Sequence, residues 1–230
     1  MKKTVLNALL ALACGFAGAA LWSFSGLGNR QTRAWLIANA DVLPDMAAAL
    51  QRREAQARLA EVGGAVTQPF PGAVLGNPAG TRTLVKFTDY GCSYCRASEQ
   101  DVQRLIASDP QLRVVIREWP IFEGSEDAAR MALAAAEQGR YPAFYKAMFA
   151  GGQPGAASIA RAAATAGLDL PRARRVAASD RVAGELAANM QLARTLGFTG
   201  TPSWVAGGRI LEGAVGFDRL RSALAGEDGE

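Results

Sequence analysis

The chain has 230 residues, half of them apolar, which is enough for one or two domains with a sizeable core and excludes a disordered tail or a small disulfide-knotted peptide. It contains no histidine, which excludes Ser-His-Asp and Cys-His catalysis, histidine-ligated zinc or haem, and an imidazole pH switch. The formal net charge is only +4, with Lys2 and Lys3 among the positives, too little to argue for nucleic acid.

Residues 1–24 begin with Met1-Lys2-Lys3, continue in an uncharged apolar run from Val5 to about Phe24, and carry small residues from Gly15 to Ala20. That order is the order of a bacterial export signal, and Ala17 and Ala19 would suit a cut after Ala19. The run is also about 20 residues long, roughly a bilayer span, so a retained anchor over residues 4–24 is the competing reading. Either way the remainder is expected outside the cytoplasm, in the periplasm. Cys14 reads as an apolar residue of the signal rather than a lipidation site, since Ala11 stands where a large aliphatic residue is needed.

From residue 29 to 62 apolar residues recur at three- and four-residue steps through Trp35, Leu36, Leu43, Met46 and Leu50, the spacing of helices. Pro44 sits where a second helix can start. The apolar stripe of this segment is too thin for a core of its own, so it must pack on the main domain or on a second copy. Residues 63–80, rich in glycine and proline, read as a linker.

The main domain, residues 81–228, opens with the strand Thr83–Thr88. Cys92 follows directly, helical spacing runs from Ala97 to Ala107, and Leu112–Trp119 reads as a second strand. Strand, helix and strand in so short a span form a right-handed crossover with parallel strands. A helical insertion over about 125–196 divides at Gly139, Gly151-Gly152, Gly167 and Ser179. Ser203–Ala206 and Arg209–Leu211 form a hairpin about Gly207-Gly208, and a last helix begins at Phe217.

With Cys14 set aside, Cys92 and Cys95 remain, separated by Ser93-Tyr94. A bridge this short closes almost no loop and stabilises little, so the pair is there to react. Its position after a strand and at a helix start puts Cys92 against unpaired backbone N–H groups that favour a thiolate. Cys92 is therefore expected as the accessible attacking thiol and Cys95, one turn on, as the inward-facing resolving thiol. Asp89 is expected to cap the helix. Tyr90, Tyr94, Phe122 or Trp204 are candidates to line a groove beside Cys92, whereas Phe87 and Trp119 read as core.

The segments Phe87-Thr88-Asp89-Tyr90-Gly91-Cys92-Ser93-Tyr94-Cys95 and Gly200-Thr201-Pro202-Ser203-Trp204-Val205 resemble the DsbA-like branch of the thioredoxin superfamily. The resemblance implies an α/β thioredoxin-like fold with a four-stranded central sheet, an inserted helical domain and an N-terminal helical extension. It also implies a cis bond at Thr201-Pro202 beside the reactive cysteine, with Thr201 and Pro202 binding extended substrate backbone next to Tyr94. The implied activity is thiol:disulfide exchange or isomerisation in unfolded or misoxidised exported proteins. It needs no cofactor beyond the redox-active pair Cys92–Cys95, and a membrane partner of the DsbB or DsbD kind resets that pair. Residues 31–62 resemble the helical extension of the ScsC copper-tolerance proteins, which implies a homo-oligomer. The alternative chemistry is capture of copper(I) by the thiolates of Cys92 and Cys95. Two departures stand out. No histidine lies between the cysteines, which makes the disulfide a milder oxidant. Lys86 occupies the position, six before the first cysteine, where thioredoxin relatives often carry a buried acid. A buried lysine needs a partner, and Glu118 on the neighbouring strand is expected to pair with it and to relay the proton of Cys95.

Overall fold

A computed structural model describes residues 2–25 and 27–226. Met1, which opens the signal-like segment, and residues 227–228, which close the expected catalytic domain, lie outside the described residues. The chain divides into two compact units, Met1–Gln51 and Arg52–Glu230.

The first unit is helical. It contains α1 (Lys2–Ser25), α2 (Leu27–Ala38), a 3₁₀ turn at Ala40–Val42 and the start of α3 (Leu43–Val62). Pro44 lies in the first turn of α3, where a missing N–H costs nothing. Trp35, Ile37, Leu43, Met46 and Leu50 are exposed. Among the described residues no helix is long and apolar enough to cross a membrane.

The second unit is built on β1 (Val74–Gly76), β2 (Arg82–Thr88), β3 (Leu112–Glu118), β4 (Ser203–Ala206) and β5 (Arg209–Glu212), in the order β1-β3-β2-β4-β5. The sheet therefore has five strands rather than the expected four. β2 and β3 are parallel, joined by α4 (Ser93–Ala97) and α5 (Glu99–Ser108), and the other neighbours are antiparallel. The extra strand comes from the stretch read as a linker: Val74 pairs with Val115 and Leu75 with Val114, and Val66, Phe70 and Ala73 are buried. Its three residues lie between turn-forming glycines and prolines, so no alternation long enough to signal a strand develops.

Successive side chains of a strand point to opposite faces, and β2 and β3 sort accordingly. Leu84, Leu112, Val114 and Ile116 join one core cluster with residues of α5, α6 (Ser125–Glu137), α7 (Tyr141–Ala150), α8 (Ala156–Ala166) and α11 (Phe217–Ala225). Val85, Phe87 and Val115 join a second with Trp119, Phe198 and residues of α10 (Asp180–Leu196). Phe87 meets Trp119 and Phe198 edge-on, at centroid distances of 6.2 and 5.1 Å, so both aromatic residues expected in the core are there. With α9 (Leu170–Ala177), the helices α6 to α10 fill the span expected for the insertion. The β4–β5 hairpin turns on Gly207 and Gly208, both at positive φ, and a Cβ on Gly207 would lie 1.9 Å from the Ala223 carbonyl oxygen.

Candidate active site

β2 ends at Thr88, and Asp89-Tyr90-Gly91 turns the chain into α4. Cys92 is itself the N-cap of α4: its backbone is extended, and its Sγ accepts the Cys95 N–H at 3.4 Å. A sulfur so placed faces the free amides of the first turn. Asp89 is not the cap. Its carboxylate instead accepts the N–H groups of Gly91 (2.6 Å), Ile121 (2.6 Å) and Phe122 (2.9 Å) and the Ser125 hydroxyl (2.5 Å), fastening the β3–α6 loop beside the dithiol. Gly91 makes room for this approach, since a Cβ there would meet Ser125 Oγ at 2.8 Å and Phe122 Cβ at 3.1 Å.

The helix expected to run on from the cysteines is broken after five residues. The Ser98 hydroxyl donates to the Tyr94 carbonyl at 2.8 Å, and α5 starts again at Glu99. Arg96 ties α4 to its surroundings by donating to the carbonyls of Phe149, Tyr90 (3.3 Å) and Gly152 (2.6 Å), a clip that sequence spacing does not reveal.

Cys92 and Cys95 are both free thiols. Contrary to the expectation of an accessible thiol, Cys92 is only 3 % exposed, and its Sγ–H points at the Thr201 carbonyl oxygen, 3.1 Å away. The Thr201-Pro202 bond is cis. The structure thus brings Cys92, Cys95, Thr201 and Pro202 together from opposite ends of the second unit. Tyr94 stands 66 % exposed on α4, with Ile121 and Phe122 also exposed on the loop that Asp89 fastens, whereas Tyr90 and Trp204 are buried and line no open groove.

Cys95 is fully buried, and burial pushes its thiol up to about 11, against the opposing pull of the Lys86 charge and of hydrogen bonds from Thr88, the Asp89 backbone and Thr201. The hydroxyls of Thr88 and Thr201 are buried without an oxygen or nitrogen partner, which leaves them free to serve the sulfur.

The expected Lys86–Glu118 pair does not form. In the parallel register Lys86 lies opposite Ile116 and Glu118 opposite Thr88, so the two share a face but are offset along it. Lys86 pairs instead with Glu99 of α5, donates to Tyr145 Oη at 3.1 Å and reaches the Cys95 carbonyl at 3.4 Å. Glu118 accepts hydroxyls from Tyr90 (2.8 Å) and Tyr141 (2.6 Å) through Oε1, while Oε2 has no partner. Burial raises this carboxyl to about 8. Sequence reasoning overlooks Glu99, although its position four residues after Cys95 is one helical turn on, the spacing that puts two side chains on one face. Among the described residues no group of three or more cysteine, aspartate or glutamate side chains could hold a metal.

A five-stranded sheet with a Cys-x-x-Cys pair capping the crossover helix and a cis-proline facing it defines a thioredoxin-fold protein. Residues 83–225 match the DSBA-like thioredoxin domain, and the chain belongs to that family. It is similar to a thioredoxin-like oxidoreductase from Silicibacter pomeroyi (40 % identity, TM-score 0.67, covering 70 % of this chain and 95 % of that one). It is also similar to Proteus mirabilis ScsC in a transitional conformation (27 % identity, TM-score 0.66, covering 86 % and 91 %). A match of 31 % identity over 146 residues, 62 % of this chain, reaches the Na(+)/H(+) antiporter NhaA 3 of Salinispora tropica. The chain spans about a fifth of the length of that curated relative, 22 %.

Proposed function

We propose that the protein is an exported thiol:disulfide oxidoreductase acting on protein substrates, with Cys92 as nucleophile and Cys95 as resolving thiol. One observation carries the reading: Cys92 Sγ caps α4 and faces the Thr201 carbonyl of a cis Thr201-Pro202 bond. A substrate strand laid along Thr201-Pro202 would present its sulfur to Cys92, with Tyr94 and Phe122 flanking it. In reduction, the Cys92 thiolate attacks the substrate disulfide, the mixed disulfide forms and one substrate thiol leaves. Cys95 then attacks Cys92 Sγ, the second substrate thiol leaves, and the Cys92–Cys95 disulfide is reduced back to the dithiol by a membrane partner of the DsbD kind, whereas a partner of the DsbB kind would reoxidise the dithiol when substrates are oxidised. Oxidation of substrates is the same sequence reversed.

Residues 1–24 act as the export signal to the periplasm, and N-terminal sequencing of the exported product separates a cut after Ala19 from retention as a tether. Residues 31–62 associate with a second copy through the exposed Trp35, Ile37, Met46 and Leu50. Copper(I) capture by the same sulfurs is the second reading, and it would have to displace the proton whose hold on Cys95 burial strengthens. Insulin reduction and refolding of scrambled ribonuclease test the proposal. Cys92→Ser is expected to abolish both, and activity equal to the native protein's would overturn it.

A further inference from the structure

Lys86 lies wholly inside the protein, its ammonium bonded to Glu99, to Tyr145 Oη and to the Cys95 carbonyl. The rings of Phe149 and Trp204 approach it at 5.3 Å and that of Tyr145 at 5.8 Å, which favours the cation weakly. The countercharge comes from Glu99, whose side chain is 18 % exposed and so gives the cluster an edge in water. Tyr145 completes a triangle by donating to Glu99 Oε1 at 2.7 Å while accepting from Lys86. The same ammonium touches the Cys95 main chain. Glu118, offset from Lys86 along the face and held by the Tyr90 and Tyr141 hydroxyls, leaves the direct countercharge to Glu99.

We propose that Lys86, Glu99 and Tyr145 form a positioning network for the resolving step, in which Lys86 favours the Cys95 thiolate and Glu99 moderates that effect by neutralising Lys86. The proposal rests on the reading of Cys92 and Cys95 as the working pair. In the step concerned, Cys95 Sγ gives its proton to solvent and attacks Cys92 Sγ. The bond between Cys92 and the substrate sulfur breaks, and the electron pair leaves on the substrate sulfur, which takes up a proton. The dithiol is oxidised, the substrate sulfur is reduced, and the proton count is unchanged. Negative charge collects on Cys95 only in this step, so a positive charge fixed nearby acts on its rate. The ionisable groups acting on Cys95 are Lys86 from β2, Cys92 from the cap of α4 and Tyr145 from α7; Glu99 from α5 pairs with that Lys86, and Glu118 from β3, bordered by Asp89 and Tyr90 of the turn after β2, also feels the Lys86 charge.

The test is the pH profile of release from a mixed disulfide formed at Cys92 with a chromogenic aryl thiol, measured on the full chain. Glu99→Gln leaves Lys86 uncompensated and is expected to move the profile to lower pH by about one unit, roughly tenfold faster release on its rising limb. Lys86→Met leaves the carboxylate alone and is expected to move the profile the other way by a similar amount. In the double variant Lys86→Met/Glu99→Gln the effect of Glu99→Gln disappears, a compensation that general loosening of the fold would not produce. Should Lys86→Met fail to fold, the double variant set against Glu99→Gln still decides. Profiles that coincide with the native one in Glu99→Gln and in the double variant overturn the network while leaving the dithiol reading intact. Failure of the native protein to form a mixed disulfide at Cys92 would instead strike the functional reading itself.

Discussion

The two faces of the sheet each hold a buried cation paired with a carboxylate at the edge of water: Lys86 with Glu99 on one, Arg117 with Glu185 on the other. The acids are almost equally exposed, 18 % and 19 %, so the difference between the pairs lies in what else the cation touches. The Arg117 guanidinium is taken up by fixed acceptors, the carbonyls of Ala65, Val66 and Gln68 and the Asn189 side chain, and these pin the segment after α3 to the sheet. Its planar fork suits several carbonyls at once. Lys86 bonds to a tyrosine hydroxyl and to the main chain of Cys95, groups that belong to the site. The same pairing thus anchors the segment after α3 on one face and lies against the Cys95 main chain on the other.

Removing the anchor gives the largest stability change. Arg117→Met leaves several buried acceptors without a donor and is expected to cost about 3–5 kcal/mol in denaturant unfolding, with thiol exchange per folded molecule unchanged. A cost under about 1 kcal/mol would erase the distinction between the two faces.

A second acid on the Lys86 face, Glu118, sharpens the comparison. Glu118 titrates near 8 in the folded protein against an ordinary value of 4.5, so between those limits the folded state holds a proton that the unfolded state has lost. Stability contributed by the neutral form is therefore present below about pH 4.5 and is lost as pH rises towards 8. Across that window the native protein is expected to lose a few kcal/mol, at most about 1.4 kcal/mol for each pH step of one, and Glu118→Gln is expected to flatten the decline. Identical pH dependence of unfolding in the two proteins would show that the carboxyl ionises freely. Tyr141→Phe removes one of the two hydroxyls on that carboxyl, with an expected cost of about 1 kcal/mol and a further rise in the Glu118 titration. An unmoved midpoint would show that Tyr90 alone holds it.

The smallest effect is expected at the surface. Tyr94→Ala should change stability by less than about 0.5 kcal/mol but weaken exchange with a peptide disulfide more than with a small aryl disulfide. Equal effects on both substrates would remove Tyr94 from the groove.

How far the sequence speaks for itself follows from how local each signal is. The parallel crossover, the Gly207-Gly208 hairpin and the breaks between the insertion helices depend on neighbouring residues, and the structure has them where the residues point. β1 does not announce itself, because three residues between turn formers acquire strand character only from their partner β3. The Lys86 partner escapes sequence reasoning for a related reason. Neighbouring strands bring Lys86 and Glu118 to one face, but the register leaves them offset, and the shorter reach to α5 wins. Asp89 resembles a cap on spacing alone, whereas four donors from the turn and the β3–α6 loop, distant in sequence for three of them, compete for its carboxylate.

Trapping is the most direct test of the dithiol assignment. In cells producing Cys95→Ala, mixed disulfides to exported proteins are expected to accumulate, each linked through residue 92 and dissolved by reductant, while Cys92→Ala should accumulate none. Adducts appearing equally in both variants, or through neither cysteine, would contradict the division of labour between the two sulfurs.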